Sequence, residues 1–195
     1  MHDWEDVSLR SADGVLVKEG TRKLTRYGLS EGLPDEKGMK LDAQAAFDYV
    51  TSHNQLKSSK IIVYGQSIGG AVAIHTTAKN QGKIDALIIE NTFLSIHKLI
   101  PSVVPHLKYF TWLCHQIWNS EAEIAKLENV PILFLSGKKD ELIPPSHMQA
   151  LHGIVKDVGN KRASYSEFKD GKHNDTCIQP GYFEAIAEFW RSIRK

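Results

Sequence analysis

Apolar positions alternate between two spacings along the chain, and the alternation predicts strands separated by helices. Short apolar runs predict strands at 61–64, 86–91, 131–136 and 163–168, the last being less apolar and so nearer an edge. Helical spacing lies between them and also precedes the first run, at 43–50. Strands that alternate with helices form a parallel sheet covered on both faces, so the pattern predicts the α/β class.

Two segments depart from this alternation. Residues 1–26 are poorly defined by their pattern, although Asp13-Gly14 predicts a hairpin turn between two short strands. Residues 92–128 carry long apolar helical stretches broken by prolines, and they predict a helical lid insertion. We therefore expect 1–195 to form a single domain with an inserted lid.

The run at 61–64 ends in a motif that can carry chemistry. Gly65-Gln66-Ser67-Ile68-Gly69 lies between this strand and a predicted helix, and its two glycines are expected to let strand and helix approach closely. A serine on such a turn has a strained backbone and an exposed hydroxyl, which makes Ser67 the candidate nucleophile. The backbone N–H of Ile68 would then face the oxygen that becomes negative when an acyl carbon is attacked. The alternative is a glycine-rich turn whose serine only caps the helix.

A nucleophilic serine needs a base, and the base needs a carboxylate that orients it. Asp140 follows the third strand and His173 follows the fourth, which gives the order Ser, Asp, His of the α/β-hydrolases. Both lie just past strand ends, where the loops of a parallel sheet converge. Glu141 is the nearest rival of Asp140, and Asp170 or Asp175 could cap the turn around His173.

The composition of the chain argues against several classes of partner. With 24 basic and 23 acidic residues the net charge is +1, which gives no electrostatic basis for nucleic-acid binding. His147 and His152 are not at the i, i+4 spacing of a metal site and the two cysteines form no pair at metal spacing, so neither a metal nor a cofactor is predicted. No apolar run approaches the roughly 20 residues that cross a bilayer, and the chain as written is expected to be cytoplasmic.

Five segments resemble the α/β-hydrolase domain-containing protein 13 and bud emergence protein 46 family of serine hydrolases. They are YGLSEG (27–32), YGQSIGG (64–70), ENTFLSI (90–96), CHQIW (114–118) and KHNDT (172–176). The resemblance runs from about Arg26 to the C-terminus. It implies an α/β-hydrolase fold and a triad of Ser67, Asp140 and His173. The partner that we expect is a small-molecule or lipid-like acyl substrate.

The chain departs from this family pattern near its N-terminus. The family has a membrane anchor, several early strands and a His-Gly-Asn-rich loop that supplies a second oxyanion donor, and no such loop sequence occurs here. We therefore expect an N-terminally shortened member, membrane-associated only if a full-length form exists. Loss of one oxyanion donor would cost about 2.7 to 4 kcal/mol of transition-state stabilisation. The strand before Ser67 would also lie at an uncovered edge.

Two functions are compatible with these observations. The first is a serine hydrolase that cleaves an ester or thioester, with an acyl chain held by lid residues Phe93, Leu94, Trp112 and Trp118. Those residues could instead belong to a helical cap that only completes the core. The second function is that of a catalytically impaired homologue, a pseudoenzyme or truncated isoform, which acts by binding.

Overall fold

A computed structural model describes residues 8–10, 16–18, 35–54, 56, 59–103, 106 and 115–194 of the 195. The chain divides into two compact units, Met1–Ser59 and Lys60–Lys195. The organisation of 1–195 as a single domain, with 1–26 as its N-terminal segment and 92–128 as a lid, stays a prediction.

The first unit contains a hairpin and a long helix. Strands β1 (Ser8–Arg10) and β2 (Leu16–Lys18) pair in antiparallel orientation, which confirms the predicted hairpin. Helix α1 (Glu36–Ser52) begins after Asp35, whose side chain caps it by accepting a hydrogen bond from a main-chain N–H of its first turn.

The second unit is built on a four-stranded parallel sheet. Its strands lie in the order β3 (Ile62–Gln66), β4 (Ala86–Glu90), β5 (Ile132–Gly137) and β6 (Ala163–Phe168). All four predicted strands are therefore present, each within two residues of its predicted bounds. Because every neighbouring pair is parallel, the strand ends that carry the candidate site residues share one edge.

Helices cover both faces of this sheet. The described helices of this unit are α2 (Ile68–Lys79), α3 (Ile96–Val103), α4 (Ser120–Ile124), α5 (Ser146–Asp157) and α6 (Tyr182–Ile193). One buried cluster joins α2, α4 and α5 to the sheet, and a second joins α6 to its opposite face. The predicted α/β architecture is thus confirmed. Within the described ranges, no helix has both the length and the apolar character needed to cross a membrane.

Two local predictions were wrong. Pro101 does not end the helix in which it lies, because α3 continues through it to Val103. Its missing N–H removes a hydrogen bond only near the end of this helix. The spacing of Ser146 and Gln149 also predicts a capping box at the start of α5, and no such box forms. Since Pro145 occupies the position before α5, Ser146 is already helical and no side chain caps this end.

Strand β3 lies at one edge of the sheet. No strand in the described part of the chain pairs with its free side, which agrees with the edge position expected from the sequence. Ile62 and Val63 are half-buried, whereas Tyr64 is 51% exposed.

Candidate active site

Ser67 lies between β3 and α2 in a strained backbone conformation, with φ 55° and ψ −126°. Only a few per cent of residues other than glycine have a positive φ. The residue occupies the capping position of α2, yet its side chain makes no capping hydrogen bond. Its main-chain N–H donates to the Glu90 carbonyl oxygen over 3.0 Å, which fixes the turn to the neighbouring strand. The strain without a cap favours a nucleophile elbow over a capping serine.

The glycines around Ser67 differ in the space available for a Cβ atom. A Cβ atom at Gly65 would overlap the carbonyl group of Gly69, so strand and helix approach too closely for any side chain there. One at Gly70 would lie 2.6 Å from Thr92 Cβ, whereas one at Gly69 would meet no described atom within 4 Å. The sequence expectation that Gly65 and Gly69 both permit the close approach is therefore corrected: Gly65 and Gly70 do.

Gly65→Ala is expected to lower the free energy of unfolding by more than about 3 kcal/mol, because main-chain atoms cannot move aside as a flexible side chain can. Gly69→Ala is the matched control and should leave stability unchanged or raise it by about 0.5 to 1 kcal/mol, since helical alanine is favoured over glycine. Urea denaturation of both variants measures the difference. Equal stabilities would contradict this account of the turn.

The first turn of α2 leaves a main-chain donor available. The N–H of Ile68, the first helical residue, donates to no group in the part of the chain that the structure describes. The N-terminal end of a helix also carries partial positive charge. An oxyanion beside Ser67 would meet both features, and the assignment of Ile68 as oxyanion donor stays a prediction.

Asp140 and His173 form a buried pair across the ends of β5 and β6. Asp140 Oδ2 lies 2.8 Å from His173 Nδ1, and the two residues are 8% and 5% exposed. Asp140 Oδ1 accepts hydrogen bonds from the main-chain N–H groups of Leu142 and Ile143, over 2.9 and 2.8 Å. An ionised carboxylate can only accept, so Nδ1 carries the proton and Nε2 of a neutral ring has a free lone pair. That tautomer is the one a general base requires.

The alternative acids occupy other positions. Glu141 contacts the main chain of His173, whose N–H lies 3.3 Å from Glu141 Oε2, rather than its ring. Hydrogen bonds from the backbone N–H groups of Glu141 and His173 hold the pKa of the Glu141 carboxyl below its ordinary value. Asp175 accepts from the N–H of Lys172 over 2.6 Å and so caps the turn, while Asp170 pairs with an exposed lysine.

Sequence reasoning missed the polar residues that tie the strand ends together. Gln66 Nε2 donates to the His173 carbonyl oxygen over 2.7 Å, and Thr92 Oγ1 donates to the Ser67 carbonyl oxygen over the same distance. Asn91, with φ 42°, follows β4 as Asp140 follows β5. For Asn91, a polar residue placed directly after a buried strand was the signal that the sequence offered.

The buried carboxylate of Glu90 connects strands β3 and β4 to helix α6. Glu90 is 1% exposed, and its Oε2 accepts hydrogen bonds from the hydroxyls of Tyr64 and Tyr182, each over 2.6 Å. Burial, and then the hydrogen bond to Glu90, raise the pKa of both tyrosines well above the usual range, so both hydroxyls stay protonated donors. These contacts link β3 and β4 to Tyr182, the first residue of α6.

The candidate lid residues are only partly available to a substrate. Phe93 and Trp118 are 2% and 1% exposed, and Leu94 is half-buried against the core. The main-chain N–H of Leu94 donates to His147 Nδ1 over 3.3 Å, and burial lowers the pKa of that histidine. Trp112 lies outside the described residues. Substrate binding by Phe93, Leu94, Trp112 and Trp118 stays a prediction.

Comparisons with known proteins find relatives over most of the chain. It is 49% identical to protein bem46 of Schizosaccharomyces pombe, over 84% of this chain and 54% of that protein. It is 46% identical to a Saccharomyces cerevisiae protein named as the membrane protein YNL320W, over 84% and 57%. For the α/β-hydrolase domain-containing protein WAV2 of Arabidopsis thaliana the identity is 37%, over the same shares. The chain thus spans about half the length of these relatives.

A family profile and solved structures agree with these relatives. The profile Hydrolase_4, described as serine aminopeptidase, S33, matches residues 27–122. The Pyrococcus furiosus esterase Pf2001 superposes with a TM-score of 0.75 at 17% identity, over 97% of this chain and 91% of that one. An α/β hydrolase from Vibrio vulnificus gives 0.71 at 21% identity, over 89% and 62%. Similarity at this identity establishes the fold. The chain therefore has the α/β-hydrolase fold, and its similarity to bem46 confirms the family resemblance predicted from its motifs.

Proposed function

We propose that the protein is a serine hydrolase that cleaves an ester or thioester through Ser67, His173 and Asp140. The observation that carries the proposal is the hydrogen bond of 2.7 Å between Gln66 Nε2 and the His173 carbonyl oxygen. Gln66 directly precedes Ser67, so this contact joins the strained turn to the buried His173–Asp140 pair as parts of one site. The proposed nucleophile, base and orienting carboxylate then act together at the same sheet edge.

In the proposed reaction, Ser67 Oγ attacks the acyl carbon while His173 Nε2 takes its proton. Asp140 holds the Nδ1 proton and stabilises the imidazolium that forms. The Ile68 N–H donates to the oxyanion of the tetrahedral intermediate. His173 returns the proton to the leaving alcohol or thiol, and the acyl group stays on Ser67. Water then attacks the acyl-enzyme with the same base, which releases the acid and regenerates Ser67.

The acyl substrate is proposed to be a small molecule or lipid-like. The esterase Pf2001 shares the fold, which supports an ester, whereas the matching profile is named for serine aminopeptidases. A panel of short-chain nitrophenyl esters, acyl thioesters and aminoacyl anilides separates these classes, and we expect turnover of the esters and thioesters. Membrane association is a further proposal, supported by the yeast relative named as a membrane protein.

A second candidate function is ligand binding without turnover. It is favoured by one observation: the chain contains no His-Gly-Asn sequence, which in the family it resembles belongs to the loop that supplies a second oxyanion donor. A site with half of its oxyanion donors would be slower by about a hundred- to a thousandfold. Such a protein would bind acyl ligands and leave them intact.

Fluorophosphonate labelling with peptide mapping tests the first function. An activated serine oxygen attacks the phosphorus of the probe and displaces fluoride. Because the probe needs little recognition by the protein, its reaction reports on the triad rather than on a pocket. Trypsin releases residues 61–79 as one peptide, in which Ser67 is the only serine. We expect the adduct on this peptide, in a monodisperse protein.

Two results would decide against this proposal. An adduct confined to another tryptic peptide would remove Ser67 from the reaction. Absence of an adduct from a folded protein would support the second candidate, and acyl-ligand binding measured by calorimetry would then be its test.

A further inference from the structure

The main-chain carbonyl oxygen of His173 accepts two side-chain amide hydrogen bonds. Gln66 Nε2 donates over 2.7 Å and Asn91 Nδ2 over 3.2 Å. Gln66 is the last residue of β3, and Asn91 follows the last residue of β4. We call these two amides and the His173 carbonyl the carbonyl clamp. It joins the chain that carries the candidate base to the ends of two neighbouring strands.

Asn91 is the buried member of the carbonyl clamp. It is 1% exposed, and its Nδ2 also lies 2.9 Å from Thr176 Oγ1 and 3.3 Å from the Lys172 carbonyl oxygen. Its Oδ1 accepts from the Gly137 N–H at the end of β5 over 2.8 Å. Substitution of Asn91 would leave several buried polar groups unpaired and would destabilise the fold. It is therefore a poor probe of function.

Gln66 is the member whose substitution is expected to leave the fold intact. It is half-buried, and its amide makes one side-chain hydrogen bond, the one to His173. Gln66 is also bonded directly to Ser67 along the chain. A single residue thus fixes the main chain of the candidate base relative to the candidate nucleophile.

A base contributes only when it is held in productive geometry, within about 0.5 Å and 10–20°. The hydrogen bond from Nδ1 to Asp140 fixes the direction of the His173 ring but not the position of its Cα atom. The carbonyl clamp supplies that second restraint. On the basis of the proposed function, we propose that Gln66 is a positioning residue, which sets the distance between His173 and Ser67 through the His173 carbonyl.

The test compares three residues of similar size at this position. Gln66→Met removes the donor, and Gln66→Glu replaces it with an oxygen that repels the His173 carbonyl. The fluorophosphonate labelling rate is measured on the plateau of its pH profile. We expect the labelling rate to fall in the order Gln, Met, Glu. Gln66→Met should be slower than the parent protein by about 10- to 100-fold, as for a displacement near 1 Å. Melting temperatures should stay close to that of the parent protein.

Gln81→Met is the matched control. Gln81 Nε2 also donates to a main-chain carbonyl, that of Ala78, but over 3.3 Å on the exposed surface after α2. This variant loses the same kind of hydrogen bond away from the site. Its labelling rate should equal that of the parent protein.

The proton on His173 Nδ1 gives a second readout that needs no labelling. Its NMR resonance reports the hydrogen bond to Asp140 and is assigned by its loss in His173→Gln. We expect Gln66→Met to broaden or shift this resonance, because a displaced His173 loses alignment with the carboxylate. A role in packing alone would leave the resonance unchanged.

The two readouts separate the inference from the proposed function. If the parent protein is labelled at Ser67 and Gln66→Met reacts at the same rate with an unchanged resonance, the positioning role is overturned and the triad remains. If no serine is labelled, the proposed function fails, and the resonance alone decides whether Gln66 positions His173. Equal rates for Gln66→Met and Gln66→Glu, both below the parent, would also overturn the role of the donated hydrogen bond.

Discussion

Ser67→Gly is expected to abolish fluorophosphonate labelling and, at the same time, to raise the free energy of unfolding by about 1 kcal/mol. The loss follows from removal of the only candidate nucleophile on the turn. The gain follows from the backbone of Ser67, whose φ of 55° is unfavourable for any residue with a Cβ atom and open to glycine. Strain of this kind amounts to about 1–3 kcal/mol, of which the greater flexibility of unfolded glycine offsets a part.

Ser67→Ala is the matched control for this prediction. Alanine also removes the hydroxyl, but it keeps the Cβ atom and therefore the strain. Because Ser67 Oγ makes no hydrogen bond with the described residues, Ser67→Ala should lose labelling with stability close to that of the parent protein. Urea denaturation and labelling of both variants give the comparison. A glycine variant no more stable than the alanine variant would mean that the turn stores no strain.

The sequence was sufficient to predict the site residues that lie just past the end of a predicted strand. Asp140 and His173 are 33 positions apart, yet their order and their places after adjacent strands predicted the contact that the structure contains. The apolar runs predicted the sheet for a similar reason, since β4 and β5 are buried along their whole length. Such features depend on local composition and on chain order, and both can be read from a single sequence.

The sequence was not sufficient where a residue acts through a distant partner. Gln66 and His173 are 107 positions apart, and nothing near Gln66 indicates that its amide reaches a main-chain carbonyl. The close approach was expected at Gly69 rather than at Gly70 for the same reason. Only the tertiary position of Thr92, which would meet a Cβ atom at Gly70, distinguishes these two glycines.

Asp140→Asn is expected to lower the labelling rate by about 10⁴-fold, and the direction of the new amide explains why. Asp140 Oδ1 accepts from two main-chain N–H groups, so asparagine would keep its oxygen there and turn its NH₂ group toward His173. An NH₂ donor facing Nδ1 favours the tautomer with the proton on Nε2. The nitrogen that should take the Ser67 proton would then already carry one.

Asp170→Asn is the matched control for this change, because Asp170 pairs with Lys139 on the surface and its side chain is 63% exposed. Its labelling rate should stay within about twofold of the parent rate, since exposed ion pairs contribute little. Melting temperatures of both variants exclude unfolding as the cause. An Asp140→Asn rate within about tenfold of the parent would mean that His173 takes the required tautomer without Asp140. The labelling rate of Glu141→Gln would then show whether Glu141, the remaining acidic neighbour, is the partner of His173.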